Sequence, residues 1–253
     1  MEQIKTYVIN LPKDLDRRES ILKETATYPW LDVEIVKAVY GKELTEKEVV
    51  CSFDRKNYWL RYRRSILPGE IGCTLSHRAC YRRLVDSDKA LVLILEDDAH
   101  FMEGAFTEGF TEAAVRFMNC PEPTVLLLHA YFDYVGRGSF FYDKYLLYPV
   151  YNALFTTGYL INKSAAKILL QKGIPYWVAD DWLLFRHWGV RVYSLYPSAM
   201  IQQWDTFSSS IREKSSFCKD RKFFHCSLIE WRKVYDKLDY TIRKKLGIIR
   251  HME

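Results

Sequence analysis

Residues Ala90–Phe101 read "ALVLILEDDAHF": a run of aliphatic residues followed at once by Glu96, Asp97 and Asp98. Leu91–Leu95 is short, partly β-branched and apolar on both alternating faces, the pattern of a strand covered on both sides. Such a strand belongs in an α/β sheet. The acids that end it need a separate account. Two carboxylates about 4 Å apart repel by about 1 kcal/mol in water and about 4 kcal/mol near a protein surface. Keeping several ionised side by side therefore calls for a cation. The competing account is a solvated turn whose acids point apart, one of them capping a helix.

Outward from this strand, the chain alternates strands and helices. "KTYVINL" (Lys5–Leu11) is a first strand ended by Pro12, followed by a helix over about Asp16–Thr27. Val33–Gly41 is a second strand, and Lys42–Ser65 is expected to form an irregular, basic surface excursion. A helix starts after Pro68 with Ile71, Leu75 and Ala79 on one face. Beyond the acids come apolar strands at Thr124–Tyr131 and Tyr151–Ile161, a helix capped by Ser164 and stopped by Gly173, and a late strand at Val190–Pro197. The alternation argues for one α/β sheet, in which ligands bind beyond the strand carboxyl ends. Arg17, Arg18 and Glu96–Asp98 all fall there.

The totals narrow the class. Of 253 residues, 49% are hydrophobic and 15% aromatic, which supports a packed core and excludes general disorder. A net charge of +5 points to an anionic ligand or surface but is too modest for a dedicated nucleic-acid binder. The six cysteines form no CxxC pair and no zinc-type spacing, the opening is charged, and no apolar run reaches the length of a membrane span. A reduced, cytoplasmic setting is expected.

Several residues carry possible chemistry. Arg17 and Arg18, near a helix start, suit phosphate oxygens, or else form a surface pair balancing Asp14, Asp16 and Glu19. Glu96, Asp97 and Asp98 suit a hard divalent ion, Mn²⁺ or Mg²⁺, on a diphosphate. Asp180 and Asp181, in "WVADDWLLF", offer a general base, or an N-cap followed by a first-turn acid. His77 and His129 read as structural; His225 and Gln202–Gln203, late in the chain, could complete a site, though no spacing singles them out. From Leu228 onward, apolar residues through Ile249 recur at three- and four-residue steps among lysines and arginines. This is a basic amphipathic helical tail, expected to pack over Leu228–Leu238 and to reach an anionic membrane surface over Ile242–Arg250.

The stretches "VINLPKDLDRR", "GEIGCTLSH", "LVLILEDDAHF", "TTGYLINKSAAKILL" and "ADDW", in that order, resemble glycosyltransferase family 25, the lipooligosaccharide-biosynthesis galactosyltransferase type. "DTFSSSI" (Asp205–Ile211) extends the likeness more loosely. The resemblance implies a GT-A-like nucleotide-diphospho-sugar transferase fold, with a mostly parallel central sheet flanked by helices. It would form a single catalytic domain over about residues 1–226 (nucleotide part to about 130, acceptor side beyond), with the tail at 227–253. It implies inverting, metal-dependent transfer of a hexose, usually galactose from UDP-galactose, onto a lipid-linked lipooligosaccharide acceptor at the inner face of the cytoplasmic membrane. Glu96, Asp97 and Asp98 would play the part of the DxD metal motif. Asn10 and Arg17 would lie near the nucleotide, and Thr157 and Gly158 where the backbone approaches the donor sugar, glycine having no Cβ in the way. Where the family often shows one acid after a proline, this chain has "VADDW", so either Asp180 or Asp181 is the base. Two rivals remain: a metal-dependent phosphodiesterase or nuclease, and a non-enzymatic carbohydrate- or nucleic-acid-binding module resting on "NYWLRYRR" (Asn57–Arg64), whose aromatics suit stacking.

Overall fold

The computed structural model describes residues 3–203 and 238–252. In chain order the first half carries β1 (Ile4–Asn10), α1 (Leu15–Thr25), β2 (Leu31–Lys37), α2 (Glu46–Ser52), α3 (Arg55–Tyr62), α4 (Pro68–Asp86), β3 (Leu91–Glu96), β4 (Ala99–Phe101) and α5 (Glu108–Met118). The second half carries β5 (Thr124–Leu127), β6 (Tyr131–Val135), β7 (Ser139–Tyr142), β8 (Tyr145–Leu154), β9 (Gly158–Asn162), α6 (Lys163–Gln171), α7 (Trp182–His187), β10 (Arg191–Tyr196), β11 (Met200–Gln202) and β12 (Ile249–Met252).

The main sheet has the order β12-β6-β8-β10-β5-β9-β3-β1-β2, with β7 beside β8. β2, β1, β3, β5 and β10 run in one direction, and β9 lies antiparallel between β3 and β5. The expected α/β class with a mostly parallel core is what the chain adopts. Period-2 alternation sends Val92 and Ile94 of β3 into one apolar cluster and Leu91, Leu93 and Leu95 into the other. The first cluster is closed by Tyr81 and Leu84 of α4, Leu169 of α6 and Trp182 of α7. The second is closed by Ile21 of α1 and Phe110 and Met118 of α5. Covering on both faces is why Leu91–Leu95 tolerates no polar residue.

Several expectations are corrected. Lys42–Ser65 is not irregular: Thr45 and Glu48 form a reciprocal capping box on α2, and Asp54 caps α3 through Asn57. These helices bury Val49, Phe53 and Tyr58 against Ile71 in a small core of their own. On α4, Leu75 and Ala79 are only half-buried; the helix instead buries Gly72, Ser76, His77, Cys80 and Tyr81. Gly72 sits so close to the β2–α2 connection that a Cβ there would lie 2.4 Å from the Val39 carbonyl oxygen. Tyr131 opens β6 rather than closing β5. Tyr151–Ile161 is two strands, broken at Phe155, whose φ is +79°. Asn162, not Ser164, caps α6, accepting from the Ala165 and Thr124 amides at 3.0 Å each.

The tail differs too. Residues 238–245 are helical, but Ile249 leaves that path to be buried in β12, antiparallel to β6. The packing expected for Leu228–Lys237 lies outside the described residues, as do Asp205–Ile211 and His225; Leu238 is exposed. Among the described residues no helix is long and apolar enough to cross a membrane.

Candidate active site

Sheet register builds the site. Ile9 pairs with Glu96 across the parallel β1–β3 ladder, so Asn10 and Asp97, one residue on, leave the sheet side by side. Asn10 Nδ2 donates to Asp97 Oδ2 at 2.8 Å and to the Asp14 carbonyl at 3.1 Å, fixing the start of α1 against the acids. Arg17, one turn into α1, is thereby aimed back at them: its guanidinium lies 2.5 Å from both Asp97 Oδ1 and Asp98 Oδ2. Gln202, from β11, donates to Asp98 Oδ2 at 3.0 Å, and Gln203 N–H donates to the Asp98 carbonyl at 2.9 Å.

Glu96 turns elsewhere. Its Oε1 accepts from the Thr156 hydroxyl at 2.5 Å, and lies 3.3 Å from His77 Nε2 and 4.0 Å from Cys73 Sγ. Cys73 and His77 are one turn apart on α4, which brings both to the same face. The His77 ring is held from behind by the Tyr159 hydroxyl at 2.7 Å, itself 2.9 Å from that of Tyr81.

Glu96, Asp97 and Asp98, together with Asp14, thus line a cleft with the Arg17 guanidinium, the Lys42 ammonium and the His77 imidazole. Burial, reinforced by repulsion from Asp98 and Glu96, pushes the Asp97 carboxyl up to about 6 although Arg17 and Asn10 oppose it. Asp98 is also raised, by burial first and then by Glu96. Burial works the same way on Glu96, but the His77 and Thr156 hydrogen bonds and the positive charge nearby hold it below the usual range. Asn10 Oδ1 and Asp98 Oδ1 are buried with no hydrogen-bond partner among the described residues. Such orphaned oxygens carry a desolvation penalty with nothing to offset it. Hard oxygen donors with excess negative charge are of the type that suits Mg²⁺ or Mn²⁺, while among the described residues the donors within 4.8 Å of one another are those of Cys73, His77 and Glu96.

The cleft, with a volume of ≈ 140 Å³, is closed opposite the acids by Val39, Tyr40 and Lys42. Thr157 and Gly158 do not open into it. The Thr157 hydroxyl meets His129 Nδ1 at 3.1 Å, and a Cβ on Gly158 would fall 2.5 Å from the Met200 sulfur. These two therefore support the floor behind Glu96, whose N–H donates to the Thr157 carbonyl at 2.9 Å. Arg18 is exposed on the surface of α1.

The second acid pair separates. Asp181 is the N-cap of α7, accepting from Leu184 N–H at 3.1 Å. Its two oxygens also accept from Arg61 Nε at 2.5 Å and the second guanidinium nitrogen at 2.8 Å, and from the Tyr62 hydroxyl. Arg61 and Asp181 are each 9% exposed. Asp180 instead reaches toward the cleft floor, where its Oδ2 accepts from Phe155 N–H at 3.2 Å. Burial, with the Asp181 charge adding to it, raises its pKa. The stacking stretch "NYWLRYRR" is committed elsewhere: Tyr58 is fully buried, and Arg61 and Tyr62 hold Asp181.

Asn10, Arg17, Glu96, Asp97 and Asp98 therefore converge, with Asp180 nearby. Sequence reasoning did not name Thr156, read His77 as structural, and raised Gln202 only as a residue that could complete a site. The four-residue spacing of Cys73 and His77 ahead of the acidic strand end was a usable signal for His77; Gln202 had none.

A family model described as "Glycosyltransferase family 25 (LPS biosynthesis protein)" matches residues 3–184. A "Glycosyltransferase 25 family member" of Anopheles gambiae is 39% identical over 101 residues, a match covering 38% of this chain and 16% of that protein. "Procollagen galactosyltransferase 2" of Homo sapiens is 34% identical over 98 residues, again 38% of this chain and 16% of that protein. The chain thus spans only about 16% of the length of these curated relatives. Among solved structures, UDP-glucose pyrophosphorylase complexed with UDP-glucose aligns with 80% of this chain and 92% of that chain, at 9% identity and a TM-score of 0.40.

Proposed function

We propose that this chain, which belongs to glycosyltransferase family 25, transfers galactose from UDP-galactose to a lipooligosaccharide acceptor with inversion at the anomeric carbon. The observation that carries the reading is the convergence of Asp97 and Asp98 on Arg17, Asn10 and Gln202 at the carboxyl ends of parallel strands, with two buried oxygens left without partners among the described residues. The galactosyl preference rests on the printed name of the procollagen relative, and the saccharide acceptor on the family description.

Asp98 and Asp97 would hold Mn²⁺ or Mg²⁺, which when bound neutralises the donor diphosphate and stabilises it as a leaving group. Arg17, between the two acids, is placed to swing one guanidinium edge onto the same phosphates. Asn10 holds Asp97 and the start of α1 in register, and Tyr40 and Val39 form the wall against which the nucleoside rests. Asp180 takes the proton of the acceptor hydroxyl. As it does so, the acceptor oxygen forms a bond to the anomeric carbon, the bond to the phosphate oxygen breaks, and its electron pair leaves with UDP. A raised pKa makes Asp180 a stronger base than an exposed aspartate once ionised. Asp181 has no oxygen to spare for this step. The enzyme works at the cytoplasmic face of a membrane, touching it through its C-terminal segment.

The test is UDP release from a panel of UDP-sugars with Mn²⁺, with and without a lipooligosaccharide-derived oligosaccharide. UDP-galactose should be consumed far faster with the acceptor present. Equal consumption without acceptor would turn the reading toward a hydrolase.

A further inference from the structure

We propose that Tyr131 and Phe155, backed by the buried His129, form the acceptor subsite, an aromatic ledge that takes the C–H face of a pyranose ring and points its hydroxyl at Asp180. This rests on the transferase reading above and adds to it where, and by which contacts, the acceptor sits.

The first observation is backbone strain. Phe155 has φ +79°, a region that bulky side chains avoid. Such a conformation persists only where the surroundings over-determine it, and it clusters at functional sites. Here two bonds fix it: Phe155 N–H donates to Asp180 Oδ2 at 3.2 Å, and the Trp182 indole N–H donates to the Phe155 carbonyl at 3.0 Å. The aim of the ring is thus set by the same carboxylate that serves as base.

The second is how the rings are laid. Phe155 lies flat against the His129 imidazole, centroids 5.4 Å apart and planes 10° from parallel. It meets Tyr131 edge-on at 5.5 Å and 63°. His129 is pinned by the Thr157 hydroxyl, and burial favours its neutral form. Tyr131 is nonetheless 54% exposed and the neighbouring Leu154 51%. Tyr131 is the open ring of the three; Phe155 is half-buried and His129, buried, backs it, so the exposed face is rigid and has little freedom left to lose on binding.

The third is position. Thr156, next in the chain, donates its hydroxyl to Glu96. The ledge therefore lies one residue from the acidic cleft, on the side that Asp180 shares. Its chemistry suits a neutral ring. The polarised C–H groups of a pyranose face match the negative face of an aromatic system, and the three ledge rings carry no cation that would favour an anionic ligand.

Saturation-transfer NMR with methyl β-D-galactopyranoside and methyl β-D-glucopyranoside, in the presence of UDP, tests this on the wild-type chain and on Tyr131→Leu and Tyr131→Phe. Both variants leave the Phe155 backbone bonds in place. The wild type should transfer saturation to ring C–H protons of at least one glycoside. Tyr131→Leu should weaken that signal about five-fold, the scale of one aromatic contact, while Tyr131→Phe retains it. No signal in the wild type, or equal signals in all three proteins, overturns the ledge. Calorimetric titration with UDP in the presence of Mg²⁺, the same ion added to the NMR samples, runs in parallel and separates the two ideas. UDP binding without glycoside signal removes the ledge alone, whereas Tyr131-dependent glycoside signal without UDP binding removes the transferase reading and leaves a sugar site.

Discussion

Asp181 and Asp98 are both largely buried, and each lies within 2.5 Å of an arginine nitrogen. Their surroundings nevertheless differ in kind. Asp181 receives both arms of the Arg61 guanidinium, the Tyr62 hydroxyl and the Leu184 amide, so every oxygen is used. Asp98 shares the guanidinium of Arg17 with Asp97, has Glu96 as a further negative neighbour, and keeps Oδ1 without a partner among the described residues. A carboxylate whose charge and lone pairs are all matched from within the chain is part of the scaffold. One left short of partners at the same depth is waiting for something the chain does not supply. The two regions use the same residue types, so neighbours rather than composition separate anchor from site.

The largest effect should come from breaking the anchor. Arg61→Ala leaves a buried carboxylate without its counter-ion, a change that costs about 3–5 kcal/mol of stability. Urea unfolding is the measurement, and a midpoint equal to that of the wild type would contradict the scaffold role. The matching change in the cleft should behave oppositely. Asp98→Asn removes a charge that burial and Glu96 disfavour more than Arg17 and Gln202 support it, so the unfolding midpoint should hold or rise while UDP-sugar turnover falls about 10²–10³-fold, as when one transition-state contact is lost. Turnover near the wild-type rate would remove Asp98 from the machinery.

Asp180 sharpens the contrast because it adjoins Asp181 yet lies close enough to the cleft to feel the charge of Glu96. Its folded pKa is raised by burial, above the value of about 3.9 that an unfolded chain gives. Between those two values the folded chain holds the extra proton, so stability falls as pH rises through that window and the full cost is present at neutral pH. Asp180→Asn should therefore leave stability at pH 7 unchanged or improved, whereas Asp181→Asn lowers it. The same Asp180→Asn change should cut turnover about 10²-fold, the lower end for losing a general base. In the wild type the rate should decline on the acid side as Asp180 takes up its proton, at a pH above the ordinary aspartate range. A variant that keeps this acid limb would show that another group titrates.

How far the chain could be read in advance follows from the same distinction between local and distant partners. The strand Leu91–Glu96, its two covered faces and the acids at its end were legible because alternation and position are local properties. The helices within Lys42–Ser65 were legible as well, through Thr45 and Glu48 and through Asp54 and Asn57, and were missed only because the basic aromatic stretch beyond them drew the reading toward a loop. Phe155 could not be found: a break at positive φ is signalled by glycine, and the residue there is phenylalanine. Nor could the separation of Asp180 from Asp181, since Arg61 lies 120 positions away, or the part of Gln202, 104 positions from Asp98. The tail misled because Ile249 continues the helical spacing yet pairs as a strand with β6.

That tail supplies the smallest expected effect and the remaining kind of unmatched group, apolar rather than charged. In and just beyond the helical residues 238–245, Leu238, Ile242, Leu246 and Ile248 are exposed by 58%, 48%, 68% and 44%. Lys245 lies among them, as does Arg243, which is paired with Asp239 at 2.6 Å. Asp239 also accepts from the Tyr151 hydroxyl at 3.0 Å, and β12 joins the sheet, so the segment is tied to the body at both ends while its apolar side chains stay uncovered. An anionic bilayer offers both the apolar cover and the charge. Ile242→Glu together with Leu246→Glu should lower sedimentation with phosphatidylglycerol vesicles about ten-fold, a modest loss because part of the attraction comes from the basic residues that remain. Turnover on a soluble oligosaccharide should not change, since neither residue is near the acids. Equal vesicle binding by the double variant would place the membrane contact elsewhere. A parallel fall in soluble turnover would instead mean that this segment, tethered through Asp239 and Tyr151 to β8, bears on the Phe155 break at the end of that strand.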